Sequence, residues 1–347
     1  MDAHALDRAA WNATRYRPGR GFYESWFLRA NHPSRPLGFW IRYTIFEADG
    51  RAGAAEGELW AVYFDGERDT VVATKREIST ERCAFSPSEL DVRIDEARLD
   101  ERALEGEIPT ADHRIAWRMR YDVGEPPLLF LDRPLYGTAL PRAKALVSAP
   151  NARFDGTLGV DGATIMVDGW IGSQNHNWGT RQTDRYAWCQ VAGFDDAPDA
   201  FLEVSCARLA LGPVQTPPMT VLALRLDGEE HRLSTSIPRA LRAHGRYEPF
   251  HFAFAAERGG VSVSGTVAAS PEAFVALPYR NPPGGTKVCL NSKIARCDLS
   301  VRRNGGPPRV LVAKHRAAFE ILTDERPLGV PWLEVEGGVG SVARGPA

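Results

Sequence analysis

Apolar and aromatic residues in this chain recur at every second position, in short runs that stop at Asp-Gly or Pro/Gly turns. That alternation constrains the fold more than any other feature, because a period of two places one set of side chains on each face of a strand. The run Phe39-Trp-Ile-Arg-Tyr-Thr-Ile-Phe46 stops at Glu47-Ala-Asp-Gly50 and reads as a strand meeting a turn. Leu59 to Phe64, Asp65-Gly66 and Thr70 to Thr74 read as a hairpin. Further hairpins are expected at Phe154 to Gly162, at Val221 to Leu233, and at Phe252 to Val267 around Arg258-Gly-Gly260. Helical spacing is scarce: Arg239 to His244 offers a turn or two and Pro87 to Leu90 a cap, short of the roughly ten residues a packed crossover helix needs. Strands without crossover helices pair antiparallel, so the expected class is all-β: two tandem antiparallel barrels or sandwiches with few short helices.

A chain of 347 residues is long enough for two domains. The 42 Lys plus Arg and 44 Asp plus Glu leave a net charge of −2, which offers no basic field for nucleic acid. No apolar run of about 18 residues is present, and the mixed, charged stretch Met1 to Arg20 does not read as an export signal. A soluble, cytoplasmic protein is expected, with peripheral contact to a membrane as one route to an apolar substrate. Five cysteines without C-x-x-C or zinc-type spacing suit a reducing compartment, while Cys189 with Cys206 and Cys289 with Cys297 sit where a hairpin could bring each pair together.

The strand signal is weakest from Gly124 to Pro150, where prolines interrupt every candidate strand, so a long loop or lid is expected there. One more hairpin follows, then a passage unlike the rest: Val167-Asp-Gly-Trp-Ile-Gly-Ser-Gln-Asn-His-Asn-Trp-Gly-Thr-Arg181. Imidazole, indoles, amides and a guanidinium crowd together there, and a fresh series of hairpins runs from Tyr186 to Ile321. The expected division is residues 1–172 and 173–347, with this passage at the seam, a favoured place for a pocket.

His176 is the first candidate for acid-base work, with Asn175 and Asn177 able to orient the ring or a water; the alternative is a hydrogen-bonded structural histidine. Trp26, Trp170, Trp178 and Trp188 either fill a core or shelter a developing cation, with Tyr186 beside them. Glu24, set among Phe22, Tyr23 and Trp26, either stays protonated in apolar surroundings or pairs with Arg29 or Arg181. Asp168 and Asp184 are further acids. Arg29 and Arg181 clamp an anionic head group or staple the two halves together. No G-x-S-x-G, H-E-x-x-H, P-loop or dinucleotide fingerprint occurs, and His113, His231, His244, His251 and His315 lack ligand spacing, so neither cofactor nor metal is expected.

Two segments resemble the lipocalin-like (calycin) superfamily that includes tocopherol cyclase and the hydroxyneurosporene synthase type of carotenoid hydratase. One is Phe22-Tyr-Glu-Ser-Trp-Phe-Leu-Arg29 followed by Phe39 to Phe46; the other runs from Gly169-Trp to His176-Asn-Trp-Gly179 and on to Tyr186-Ala-Trp-Cys-Gln190. The resemblance implies two calycin-like barrels around a hydrophobic cavity. It further implies a hydratase or cyclase that protonates an alkene of an isoprenoid or polyketide-like substrate, with His176 and Trp178 in the catalytic element. Asn175 stands where relatives often carry an Asp, which leaves Glu24 or Asp184 to supply the proton. A non-catalytic carrier of lipophilic ligands, a cyclase relying on cavity shape, and a structural protein whose motif residues merely join two barrels are the competing expectations.

Overall fold

The computed structural model describes residues 7–50, 54–211, 214–327 and 329–344. Two large antiparallel sheets account for nearly all of it. The first is ordered Val339–Arg344, Thr70–Ser79, Glu56–Asp65, Leu37–Glu47, Phe22–Asn31, Ala163–Gly179, Ala143–Val160 and Arg114–Asp122, then four short strands back to Cys83–Phe85. The second runs from Glu229–Arg232 through Met219–Leu226, Ala197–Arg208, Arg185–Phe194, Arg309–Thr323, Thr286–Arg303, Val261–Ala268 and His251–Arg258 to His244–Glu248. Helix is confined to short segments such as Arg8–Asn12 and Ile237–Ala240, and Pro87 to Leu90 forms bends instead. Among the described residues no helix is long and apolar enough to cross a membrane.

Each sheet curls round its own core. Tyr43 reaches from one arm of the first sheet to the other, donating to the carbonyls of Arg98 at 2.9 Å and Glu105 at 3.1 Å and accepting from Trp117 Nε1 at 2.8 Å. In the second sheet the edge strand His244–Glu248 lies so close to Met219–Leu226, the second strand from the other edge, that a Cβ on Gly245 would sit 2.3 Å from Thr220 Oγ1. A third apolar cluster, including Phe27, Trp40, Trp60, Trp188, Tyr279 and Leu322, lies between the sheets.

Burial patterns reveal which strands meet at that seam. Arg114–Asp122 alternates exposed and buried, as expected of a strand with one face in water. Phe22–Asn31, Leu37–Glu47 and Arg185–Phe194 are buried on both faces over almost their whole length, one face against their own core and the other against the opposite sheet. Their near-continuous apolar sequences are what that double burial requires.

Three expectations need correction. The division between residues 172 and 173 falls inside the strand Ala163–Gly179, which pairs with Phe22–Asn31 up to Tyr23 opposite Gly179, and the last strand, Val339–Arg344, returns to the first sheet. Gly172, within Ala163–Gly179, lets two backbones approach: a Cβ there would lie 1.8 Å from the carbonyl oxygen of Arg29. The prolines do not hold Gly124 to Pro150 open throughout, because Ala143–Val160 absorbs Pro150 with register shifts around Ala149 and Ala152. The cysteines are all free. Cys189 faces Val204 and Cys206 faces Ala187, while Cys289 and Cys297 lie on one strand, so neither pair is opposed.

Candidate active site

The motif strand presents two chemistries because neighbouring residues point to opposite faces. Trp26 pairs with His176 and Glu24 with Trp178 across the ladder; Phe27 pairs with Asn175 and Ser25 with Asn177. The first set faces the N-terminal segment, the second the seam between the sheets.

On the first face, His176 and Glu24 are fully buried and bonded to each other, Nε2 to Oε1 at 2.8 Å. His176 Nδ1 lies 2.8 Å from the carbonyl oxygen of Trp11, which can only accept, so that nitrogen carries a hydrogen. Glu24 also accepts from Thr14 Oγ1 at 2.7 Å and from the backbone N–H groups of Arg15 and Tyr16 at 2.9 and 3.0 Å. Trp26 stacks on the imidazole at 5.0 Å and donates through Nε1 to the Asn12 carbonyl at 2.9 Å. Arg15 covers the face of Trp178 at 4.2 Å. The constellation thus fastens residues 11–16 onto the first sheet, and Glu24 pairs with neither Arg29 nor Arg181.

The second face borders a cavity of about 370 Å³ whose described lining includes Asn175, Asn177, Tyr186 and Trp188, but not His176, Trp178 or Glu24. Glu203 of Ala197–Arg208 is its most informative group. Its oxygens accept from Trp188 Nε1 and from Gln190 Nε2, each at 2.7 Å. Burial pushes this carboxyl up to about 7, against the smaller opposing effect of those two donors. Gln190 also donates to Asn175 Oδ1 at 2.8 Å and accepts from Ser173 Oγ at 2.6 Å and Arg29 Nε at 2.9 Å. Arg29 further reaches the Arg316 carbonyl at 3.2 Å, so it staples the sheets together.

Glu320, also on the cavity wall, accepts from Lys293 at 2.9 Å and Asn291 at 3.0 Å. Burial lowers the Lys293 ammonium, which Glu320 partly offsets. Phe27 meets Trp188 edge-on at 6.1 Å and Trp40 at 6.2 Å, completing an aromatic wall. Phe130, Leu131 and Leu135 from the proline-rich segment close one side, and Leu140 and Ile237, both about half exposed, mark the rim.

The remaining candidates lie elsewhere. Trp170 packs on Phe39 at 6.0 Å in the first core, Asp168 is exposed, and Asp184 pairs with Arg181 at 2.6 Å. Sequence reasoning missed Glu203, Glu320 and Arg42. Each is a lone charge within an apolar run, in Phe201-Leu-Glu-Val, Ala318-Phe-Glu-Ile and Trp40-Ile-Arg-Tyr, and that interruption was the available signal.

Two curled antiparallel sheets packed across an apolar cavity form an all-β, lipocalin-like fold. Three solved structures share it over 93% of this chain: a candidate AttH from Nitrosomonas europaea (TM-score 0.56, 13% identity, 98% of that chain), kievitone hydratase from Nectria haematococca (0.55, 11%, 94%) and CghA (0.50, 12%, 97%). An uncharacterized protein of Mycobacterium tuberculosis H37Rv is 26% identical over 304 residues, 87% of either chain. No family model matches.

Proposed function

We propose that the protein is a cofactor-independent hydratase or cyclase working in the seam cavity on an alkene of a lipophilic, isoprenoid or polyketide-like substrate. Glu203 gives its proton to one alkene carbon. The faces of Trp188 and Trp40 shelter the cation formed at the other carbon, by cation–π attraction worth about 0.5–2 kcal/mol per ring. Water or a hydroxyl of the substrate then adds to that cation, and the proton it releases returns to the Glu203 carboxylate.

The observation that carries this reading is Glu203 itself, a carboxyl held near neutrality by burial on the wall of an apolar cavity. A group with its pKa near ambient pH can both give and regain a proton. That a kievitone hydratase has this fold supports the hydration branch. Compared with the sequence expectation, the proton donor moves from Glu24 or Asp184 to Glu203, since neither of the first two is part of the described cavity lining.

The test is incubation with a panel of isoprenoid alkenes in isotopically labelled water. Label should enter product with the wild type and fail to enter with Glu203→Gln, while ligand binding persists. Turnover that survives Glu203→Gln would favour a cyclase acting through cavity shape, and binding without turnover in either protein a carrier. The apolar rim at Leu140 and Ile237 suits a lipophilic ligand in all three cases.

A further inference from the structure

We infer that the ligand of the seam cavity carries an anionic oxygen, a carboxylate or enolate on its lipophilic skeleton, seated against Arg42 and Trp40. This deepens the reading above and rests on the same cavity as the ligand site. Arg42 and Trp40 stand two residues apart on Leu37–Glu47, paired across the ladder with Phe27 and Arg29 on the same face of the sheet, and both line the cavity. Arg42 is 5% exposed and Trp40 1%. Yet Arg42 Nε and Trp40 Nε1 have no hydrogen-bond partner among the described residues. Buried N–H groups are nearly always satisfied, and a buried guanidinium is nearly always paired.

The nearby carboxylates are already taken. Glu58 is held by Lys75 at 3.1 Å and Arg280 at 2.6 Å, and Glu320 by Lys293 at 2.9 Å. Among the described residues no carboxylate lies within ion-pair distance of Arg42; its guanidinium rests on the ring of Tyr279 at 4.6 Å. Arg29 provides the contrast. It too is buried without a carboxylate, but it is fully occupied by Gln190, Asn31 and the Arg316 carbonyl. Of the two, only Arg42 lines the cavity and keeps an unpaired N–H, and a planar guanidinium beside an indole N–H matches the paired oxygens of a carboxylate or of an enolised dicarbonyl.

The experiment compares farnesoic acid with its methyl ester, followed by quenching of tryptophan fluorescence at about pH 8, where the acid is ionised. The wild type should bind the acid about tenfold more tightly than the ester. Arg42→Gln should remove that preference while leaving ester binding within about twofold, and Arg42→Lys, which keeps the charge, should retain part of it. Acid bound no more tightly than ester by the wild type, or a preference that survives in folded Arg42→Gln, overturns the inference. The two proposals fail separately: acid preference without label incorporation removes the enzyme and keeps the anion site, whereas turnover of neutral alkenes without acid preference does the reverse.

Discussion

Trp188 Nε1 donates to Glu203 Oε1 at 2.7 Å, and the indole that holds this carboxyl also forms part of the cavity wall. One residue therefore bears on both the proton affinity of the acid and the wall of the cavity. The consequences for proton affinity, stability and folding can be separated by substitution.

The first concerns stability against pH. Burial raises the Glu203 carboxyl from an ordinary 4.5 to about 7. The folded protein therefore holds this proton over a range in which the unfolded chain has released it. The stabilisation is complete below about 4.5 and is lost as pH rises through about 7, a change of roughly 3 kcal/mol at most. Glu203→Gln keeps the shape and removes the titration. Thermal melts at about pH 5 and pH 8 should show the variant gaining on the wild type as pH rises; parallel melting curves would refute a raised carboxyl at this position.

Trp188→Phe provides a sharper test of the same group. It keeps an aromatic ring on the wall but removes the N–H that favours the ionised carboxylate, so the Glu203 pKa should move further up. A reaction that needs the protonated carboxyl should then hold its rate to higher pH than the wild type does. The pH dependence of label incorporation reads this directly, and an unmoved alkaline limb would mean that another group supplies the proton.

His176→Ala should act on folding. It leaves Glu24 buried with three of its partners, and it frees the Trp11 carbonyl and one face of Trp26. Breaking a buried pair on one side costs about 3–5 kcal/mol, less here because backbone donors remain on Glu24. Amide exchange should accelerate across residues 11–16 while the cavity still binds ligand. Full stability with abolished turnover would return His176 to the catalytic role expected from its motif.

Why the fold could be read from the sequence while the site could not follows from the same periodicity. Alternation and Asp-Gly turns located the hairpins at Asp65-Gly66, Asp161-Gly162 and Asp227-Gly228, because that information is local. Nothing local says which face of a strand meets the other sheet. His176 and Asn175 differ by one position, and in a strand one position is the difference between the N-terminal anchor and the cavity. The motif therefore divides between two faces whose alternate residues meet different surroundings. The signal for the cavity wall was distributed along the chain, in Arg42, Glu203 and Glu320, each a charge in a strand otherwise too apolar to face water.

The glycines of the motif hairpin provide the last test, since Gly172 and Gly162 differ in what surrounds them. At Gly172 a Cβ would lie 1.8 Å from the Arg29 carbonyl oxygen and 2.6 Å from Ala30 Cα, atoms of a paired backbone that cannot move without breaking the ladder. Gly162 occupies the Asp161-Gly162 turn at φ +85°, with nothing within 4 Å of a Cβ. Gly172→Ala should cost about 3 kcal/mol or more through overpacking, whereas Gly162→Ala should cost about 1 kcal/mol through its left-handed backbone. Denaturant unfolding of the two variants measures the difference, and equal costs would contradict the close approach of the strands. The consequence reaches the cavity as well. Displacing Arg29 disturbs its 2.9 Å bond to Gln190, the residue that donates to both Glu203 and Asn175, so Gly172→Ala should also alter the pH dependence of Glu203, which Gly162→Ala should leave unchanged.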